Sequence, residues 1–269
     1  MTTPPPKKVV TGRTRDFVIG ADKAIYKFSK HWLAVLNTII AIYVALPILA
    51  PVLMNVGATG PARVIYTMYS PMCHQMASRS FFLFGEQAAY PRALAGTELN
   101  PLESYTPTLP EFSGVDDNNW AAFFIAAREF LGNEQMGYKM ALCERDIAIY
   151  GFVLIGGLLY GLIRRYRVIR PLPLILFLII GMGPIAWDGF SQLFSYYATP
   201  LNGGAPAGIQ AFLGNLFPLR ESTPFLRSFT GALFGFSLVW LAYPHLDVNM
   251  GRTEADLEKK LKRIGELPS

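Results

Sequence analysis

Charge is what this 269-residue chain most lacks: Asp, Glu, Lys and Arg make up 16% of it, against roughly a quarter in soluble globular domains. Hydrophobic residues supply 52%. With so little charge to cover a water-exposed surface, a membrane protein is the first expectation. Cysteine is scarcer still, at two residues. That excludes a disulfide-rich scaffold but leaves room for one disulfide or one metal site. Histidine occurs three times, and His74 adjoins one of the two cysteines, Cys73. The net charge is +5, yet the basic residues flank apolar runs and form no nucleic-acid module. Anionic lipid headgroups are the better match for that charge, and nucleic acid is not an expected partner. The opening MTTPPPKKVVTGRTRDF is polar and basic, with no apolar run directly behind it and no small-residue cleavage site, so no cleavable signal peptide is expected.

What is present is a set of long apolar runs. Leu33 to Met54 supplies 22 residues, enough to cross a hydrocarbon layer of about 30 Å at about 1.5 Å per residue. Pro47 and Pro51 are expected to bend or fray its far end. Ile147 to Ile163, Leu172 to Phe194 and Phe229 to Leu246 supply three more candidate spans. Gly151, Gly156, Gly157 and Gly161 suit close helix packing in the second. Arg13, Arg15, Lys23, Lys27 and Lys30 precede the first span, Arg164, Arg165, Arg167 and Arg170 link the second to the third, and Lys259, Lys260, Lys262 and Arg263 follow the fourth. Four spans place all three basic regions on one side, as the positive-inside rule requires, with both termini cytoplasmic.

The run VIYTMYSPMCHQMASRSFFLF, from Val64 to Phe84, carries His74, Gln75 and Arg79. A fifth span there would break the charge asymmetry, so it reads as an interfacial or re-entrant segment, with a helix packed into the bundle as the alternative. The expected fold is an all-α polytopic membrane helical bundle: four transmembrane helices plus an interfacial or re-entrant helix. Residues 1–32 form a basic N-terminal segment and 33–246 a membrane domain. A Pro-rich external insert occupies about 86–119, and 247–269 form a tail helix with Thr253 as its cap. Asn119 or Asp117 is expected to cap a helix beginning near Trp120.

Under this topology the chemistry-bearing residues converge on the outer side. Cys73 and His74 follow span one, Cys143, Arg145 and Asp146 precede span two, Asp188 and Gln192 end span three, and Arg220 to Arg227 precede span four. A carboxylate at the depth of Asp188 is expensive unless paired. It is therefore a helix-packing partner of Arg145, Arg220 or Arg227, or else a functional acid with Gln192 one turn on. Ser222 or Thr223 ahead of Pro224 suits a helix cap. With Arg145, Arg220 and Arg227 the same N-terminus offers an anion or substrate site. Cys73, His74, Cys143 and Asp146 offer S, N, S and O donors suitable for zinc. A Cys73–Cys143 disulfide and independent buried groups are the other readings of the pair.

CHQMASRSFFLFG, CERDIAIYGFVLIGG, GPIAWDGFSQ and RESTPFLRSFTGALFG, in this order, resemble an uncharacterised prokaryotic membrane-protein family, domain of unknown function 2085, over roughly Ala62 to Leu246. The resemblance implies that Cys73, His74, Gln75, Arg79, Cys143, Arg145, Tyr150, Asp188, Gln192, Arg220 and Arg227 are characteristic positions. Many relatives carry a second cysteine where this chain has Asp146, a metal-like donor set that favours metal over disulfide. It implies no reaction. A prokaryotic inner-membrane location follows from the same resemblance. Two functions are expected. One is an accessory or assembly subunit of a larger membrane complex, clipped by a metal. The alternative is a metal-dependent membrane hydrolase acting on a lipid-linked or anionic substrate, with Asp188 and Gln192 in its catalytic site.

Overall fold

A computed structural model describes residues 12–117, 119–200 and 205–268; the first eleven residues of the expected N-terminal segment lie outside this set. The helices are α1 Arg13–Asn55, α2 Thr59–Tyr69, α3 Trp120–Glu129, α4 Glu144–Ile163, α5 Leu174–Ala198, α6 Ile209–Leu216 and α7 Pro224–Arg263. Four of them, α1, α4, α5 and α7, are long and apolar enough to cross a membrane. The chain is an all-α, multi-pass membrane protein.

Proline does not break these helices. A proline lacks the N–H that would bond the carbonyl four residues earlier, so each one inside a helix frees an acceptor. Pro47 frees the Tyr43 carbonyl of α1, which accepts from Tyr69 Oη at 2.8 Å. Pro51 frees the Pro47 carbonyl, which accepts from Ala141 N at 3.2 Å. In α7, Pro244 frees the Trp240 carbonyl, which accepts from Leu172 N at 3.1 Å at the entrance to α5. The expected fraying of α1 is thus replaced by two docking points that keep a continuous helix. In α5 the backbone widens to a π-helix over Phe177–Met182 just ahead of Pro184, which relieves the same clash by another route.

Helices α4 and α7 form the closest seam. A Cβ on Gly235 would lie 2.2 Å from the Ile149 carbonyl and one on Gly231 2.7 Å from that of Arg145. Small residues here let the backbones approach. The sequence points to the glycines of α4, and Gly156 and Gly157 do face neighbouring helices, but Gly151 faces open space.

One end of the bundle gathers the early part of α1, the last part of α7 with the residues just after it, and the arginine-rich link. Lys23 pairs with Glu266 at 2.7 Å and Lys260 with Asp22 at 2.6 Å, while Arg164 pairs with Asp247. Helix α7 runs unbroken into the tail, so no separate tail helix starts at Thr253, whose hydroxyl instead donates to the Asn249 carbonyl at 3.0 Å.

The opposite end carries a folded cap. After α2 the chain leaves helix at Tyr69 and continues through a turn, an irregular stretch and a short 3-10 turn to a strand, so Val64 to Phe84 makes no fifth span. Strands β1 Phe82–Leu83, β2 Gly132–Asn133 and β3 Gly137–Lys139 form an antiparallel sheet in the order β1-β3-β2. The Pro-rich insert has the expected lack of long elements, but its 3-10 turns bury Tyr90, Leu102, Leu109 and Phe112 against Phe82, Phe123, Phe130 and Met136. Asn119 caps α3 by accepting from Ala122 N at 3.2 Å.

Candidate metal centre

The cap brings both cysteines together. Cys73 lies in the irregular segment after α2, Cys143 is the N-cap residue of α4, and Asp146 sits in the first turn of that helix. Their Sγ, Sγ and carboxylate oxygen atoms all lie within 4.8 Å of one another. Both thiols are free. Cys73 Sγ accepts from Cys143 N at 3.2 Å and Gln75 N at 3.4 Å, and Cys143 Sγ donates to Asp146 Oδ2 at 3.1 Å. The Cys143 thiol beside it holds the Cys73 thiol below its ordinary range; burial opposes this and the two backbone N–H groups reinforce it. Cys143 is pushed well above that range by the same hydrogen bond and by burial.

The local sequence explains this arrangement. The Pro51-freed carbonyl holds Ala141 two residues before Cys143, and the Pro47-freed carbonyl holds Tyr69 four residues before Cys73. Gln75 joins the two halves: its Nε2 donates to the carbonyls of Tyr66 and Ala141, each at 2.9 Å. It does so from a left-handed backbone, at φ 53°, a conformation that costs a non-glycine residue of order 1–3 kcal/mol and persists where surroundings enforce it. Lys139 supplies part of that enforcement. Its fully buried ammonium donates to the carbonyls of Gln75, Arg128 and Ala127 at 2.6, 2.7 and 3.3 Å. Burial pulls the Lys139 pKa down to about 7, while three carbonyls, one for each hydrogen, favour the protonated form.

His74 does not join the group. The two neighbouring side chains part company: while Cys73 is buried, His74 is exposed with its ring edge-on to Phe124 at 5.5 Å. The remaining donors fit a metal. Zn–S bonds of about 2.3 Å in a tetrahedral site put two sulfurs about 3.8 Å apart, so donors within 4.8 Å need only a small closure. Two thiolates and a carboxylate suit zinc and other borderline-soft divalent ions.

The predicted acid and anion-binding residues form a second cluster. Asp188 Oδ2 accepts from Arg145 Nη2 at 2.5 Å and Ser222 Oγ at 2.7 Å, and its Oδ1 accepts from Arg220 Nη2 at 2.8 Å. Gln192 Oε1 accepts from Ser222 N at 3.3 Å. Thr223 caps α7, accepting from Leu226 N at 3.1 Å. Arg227 is buried, donating to Glu144 Oε2 at 3.1 Å and also to Glu221. Glu221 takes a two-pronged contact from Arg79 at 2.8 and 3.1 Å and a further bond from Tyr196. Burial raises the Glu221 pKa, but Arg79 and Arg227 outweigh it and hold the carboxyl below its usual range. Arg145, Arg220, Ser222, Thr223 and Arg227 are therefore all engaged within the protein.

Reading residue types alone misses Lys139 and Tyr43, whose signals lie in structure rather than in motif. It lists Gln75 and Tyr150 without a role, and Glu144 stands unremarked inside CERD. Tyr43 and Tyr150, with ring centroids 4.6 Å apart, help line a groove of about 370 Å³ together with Ile39, Ile40, Met72 and Asp146. Asp146 is common to the groove and the donor cluster.

Residues 134–241 match a family described as a predicted membrane protein (DUF2085). The match includes Cys143, Asp146, Asp188 and the α7 arginine, and it ends short of Cys73 on the N-terminal side. An uncharacterized protein of the archaeon Methanocaldococcus jannaschii is 26% identical over 220 residues, covering 80% of this chain and 92% of its own length. No solved structure matches the chain.

Proposed function

We propose that this membrane protein, whose residues 134–241 belong to the DUF2085 family, is an accessory subunit of a membrane complex, built around a zinc-class centre at its outer end. Cys73, Cys143 and Asp146 hold the ion. The observation that carries the reading is the convergence of those three donor atoms within 4.8 Å, on segments anchored by Pro47, Pro51 and Gln75. The Cys143 thiol proton, held between Cys73 and Asp146, is the one a metal displaces on binding. The outer location rests on the charge asymmetry: Lys23, Arg164 and Lys260 cluster at the opposite end.

The hydrolase reading fares less well. Asp188 accepts from two arginines and a serine, which ties its carboxylate into helix packing, and Gln192 is engaged by the Ser222 backbone. One observation does favour ligand handling at the metal: three protein donors leave a fourth tetrahedral position, and Asp146 opens onto a groove.

Titrating Co²⁺ into purified apo-protein tests the centre. A thiolate-to-metal charge-transfer band saturating at one equivalent, and absent from Cys73→Ser and Cys143→Ser, is expected. Its absence from the wild-type protein sinks the proposal.

A further inference from the structure

The groove beside the donor cluster has a polarity gradient. It lies between α1 and α4, which run in opposite directions. Asp146, in the first turn of α4, marks one end. Tyr150 sits one turn deeper, against Tyr43 of α1, and Ile39 lies one turn of α1 deeper again. At about 1.5 Å per residue the gradient from carboxylate to isoleucine extends about 12 Å along the helices. The Tyr43 hydroxyl donates to Met72 Sδ at 3.4 Å, placing the thioether over the polar end. Ile39 is 59% exposed and Met72 63%, so the groove is open to the surrounding lipid. Its volume of about 370 Å³ falls within the roughly 300–1,000 Å³ of small-molecule sites.

Charge decides the class of occupant. No lysine, arginine or histidine lines the groove; one carboxylate and two phenols do. Nearby arginines do not compensate, because Arg145 and Arg220 are drawn to Asp188. Two thiolates and a carboxylate around a divalent ion would leave the centre with a net negative charge. An anionic headgroup would therefore be repelled, whereas a hydroxyl headgroup can donate to Asp146 and a carbonyl headgroup can accept from a phenol.

We propose that the groove binds an uncharged, single-headed membrane amphiphile, its hydroxyl or carbonyl headgroup at Tyr43, Tyr150 and Asp146 and its chain along Ile39 and Ile40. In placing that headgroup beside the metal, and in taking part of the repulsion from its anionic ligand shell, the proposal rests on the metal-centre reading; the Asp146 carboxylate and a lining free of cationic side chains carry the selectivity without it.

The test uses full-length protein in phosphatidylcholine vesicles doped with a diazirine-tagged diacylglycerol or a diazirine-tagged phosphatidic acid of the same chains. Diacylglycerol should label peptides containing Tyr43 and Tyr150 at least about tenfold more than phosphatidic acid, like-charge repulsion near a low-dielectric wall exceeding 1.4 kcal/mol. Ile39→Trp, at a lipid-exposed position that the fold tolerates, should abolish that preference and leave metal content unchanged. Equal labelling by the two probes, or labelling spread evenly over α5 as well, overturns the amphiphile site. Metal at one equivalent with equal labelling overturns the groove proposal alone; selective labelling in a protein that binds no metal overturns the metal centre alone.

Discussion

Two clusters share one end of the bundle, and they differ in how completely the protein satisfies them. In the arginine–carboxylate network four guanidinium groups, from Arg79, Arg145, Arg220 and Arg227, surround Glu144, Asp188 and Glu221. Asp188 alone receives three donors. In the sulfur cluster two thiols and a carboxylate crowd together with a single thiol proton between Cys143 and Asp146. Every carboxylate of the first is paired with an arginine without any ligand, although Glu144 Oε1 and Arg145 Nε lack a hydrogen-bond partner. The second brings together three groups of negative charge once deprotonated, an arrangement that a cation would stabilise. Depth and polarity do not by themselves mark a site, because both clusters have them. Uncompensated charge of one sign does.

The contrast can be broken experimentally, and the largest effect should come from the arginine–carboxylate network. Arg227→Ala leaves the buried carboxylates of Glu144 and Glu221 short of a partner. Loss of one member of a buried pair typically destabilises by about 3–5 kcal/mol, so thermal unfolding in detergent should drop sharply. Arg227→Lys should recover less than half of that loss, because an ammonium cannot reproduce the forked geometry. Asp188→Asn should follow at about 2–3 kcal/mol, since it strips charge from the bonds to Arg145 and Arg220. It should leave metal affinity unchanged, and a metal site that fails with Asp188→Asn would merge the two clusters into one.

Pro51→Ala sharpens the comparison from the other side. It restores an N–H that recaptures the Pro47 carbonyl within α1 and competes with Ala141. Overall stability should move by no more than about 1 kcal/mol, while metal affinity falls about tenfold as the Cys143 segment loosens; Co²⁺ titration reads both the affinity and the geometry. Acid should discriminate the clusters most gently. The Glu221 pKa is depressed in the folded protein, so its contribution is fully present above the unfolded glutamate range and is lost as pH falls through the lower folded value. Unfolding followed against pH should show stability declining below about pH 4.5, and Glu221→Gln should flatten that decline.

The spans were legible in the sequence because hydropathy and charge asymmetry are one-dimensional signals, as were the caps at Asn119 and Thr223. Convergence on one end was legible too. Its division into two clusters was not, because the sequence shows that Arg145 and Asp146 are neighbours but not that they leave α4 toward different partners. His74 was drawn into the donor set by adjacency, and adjacency in sequence does not place two side chains on one side: Cys73 is buried while His74 is exposed. The insert's core was hidden because Tyr90, Leu102, Leu109 and Phe112 sit at spacings set by 3-10 turns and prolines, without a helical or strand period. Pro47 and Pro51 of α1 were read as disruptions, since what they release becomes visible only when the acceptor's new donor, Tyr69 or Ala141, comes from far along the chain.

The most direct measurement is the metal content of chelator-washed protein reloaded with zinc, compared among wild type, Asp188→Asn and Cys143→Ser at equal folded fraction. The account predicts one ion per chain in the first two and none in the third. Full occupancy in Cys143→Ser, or loss of the ion in Asp188→Asn alone, would contradict it.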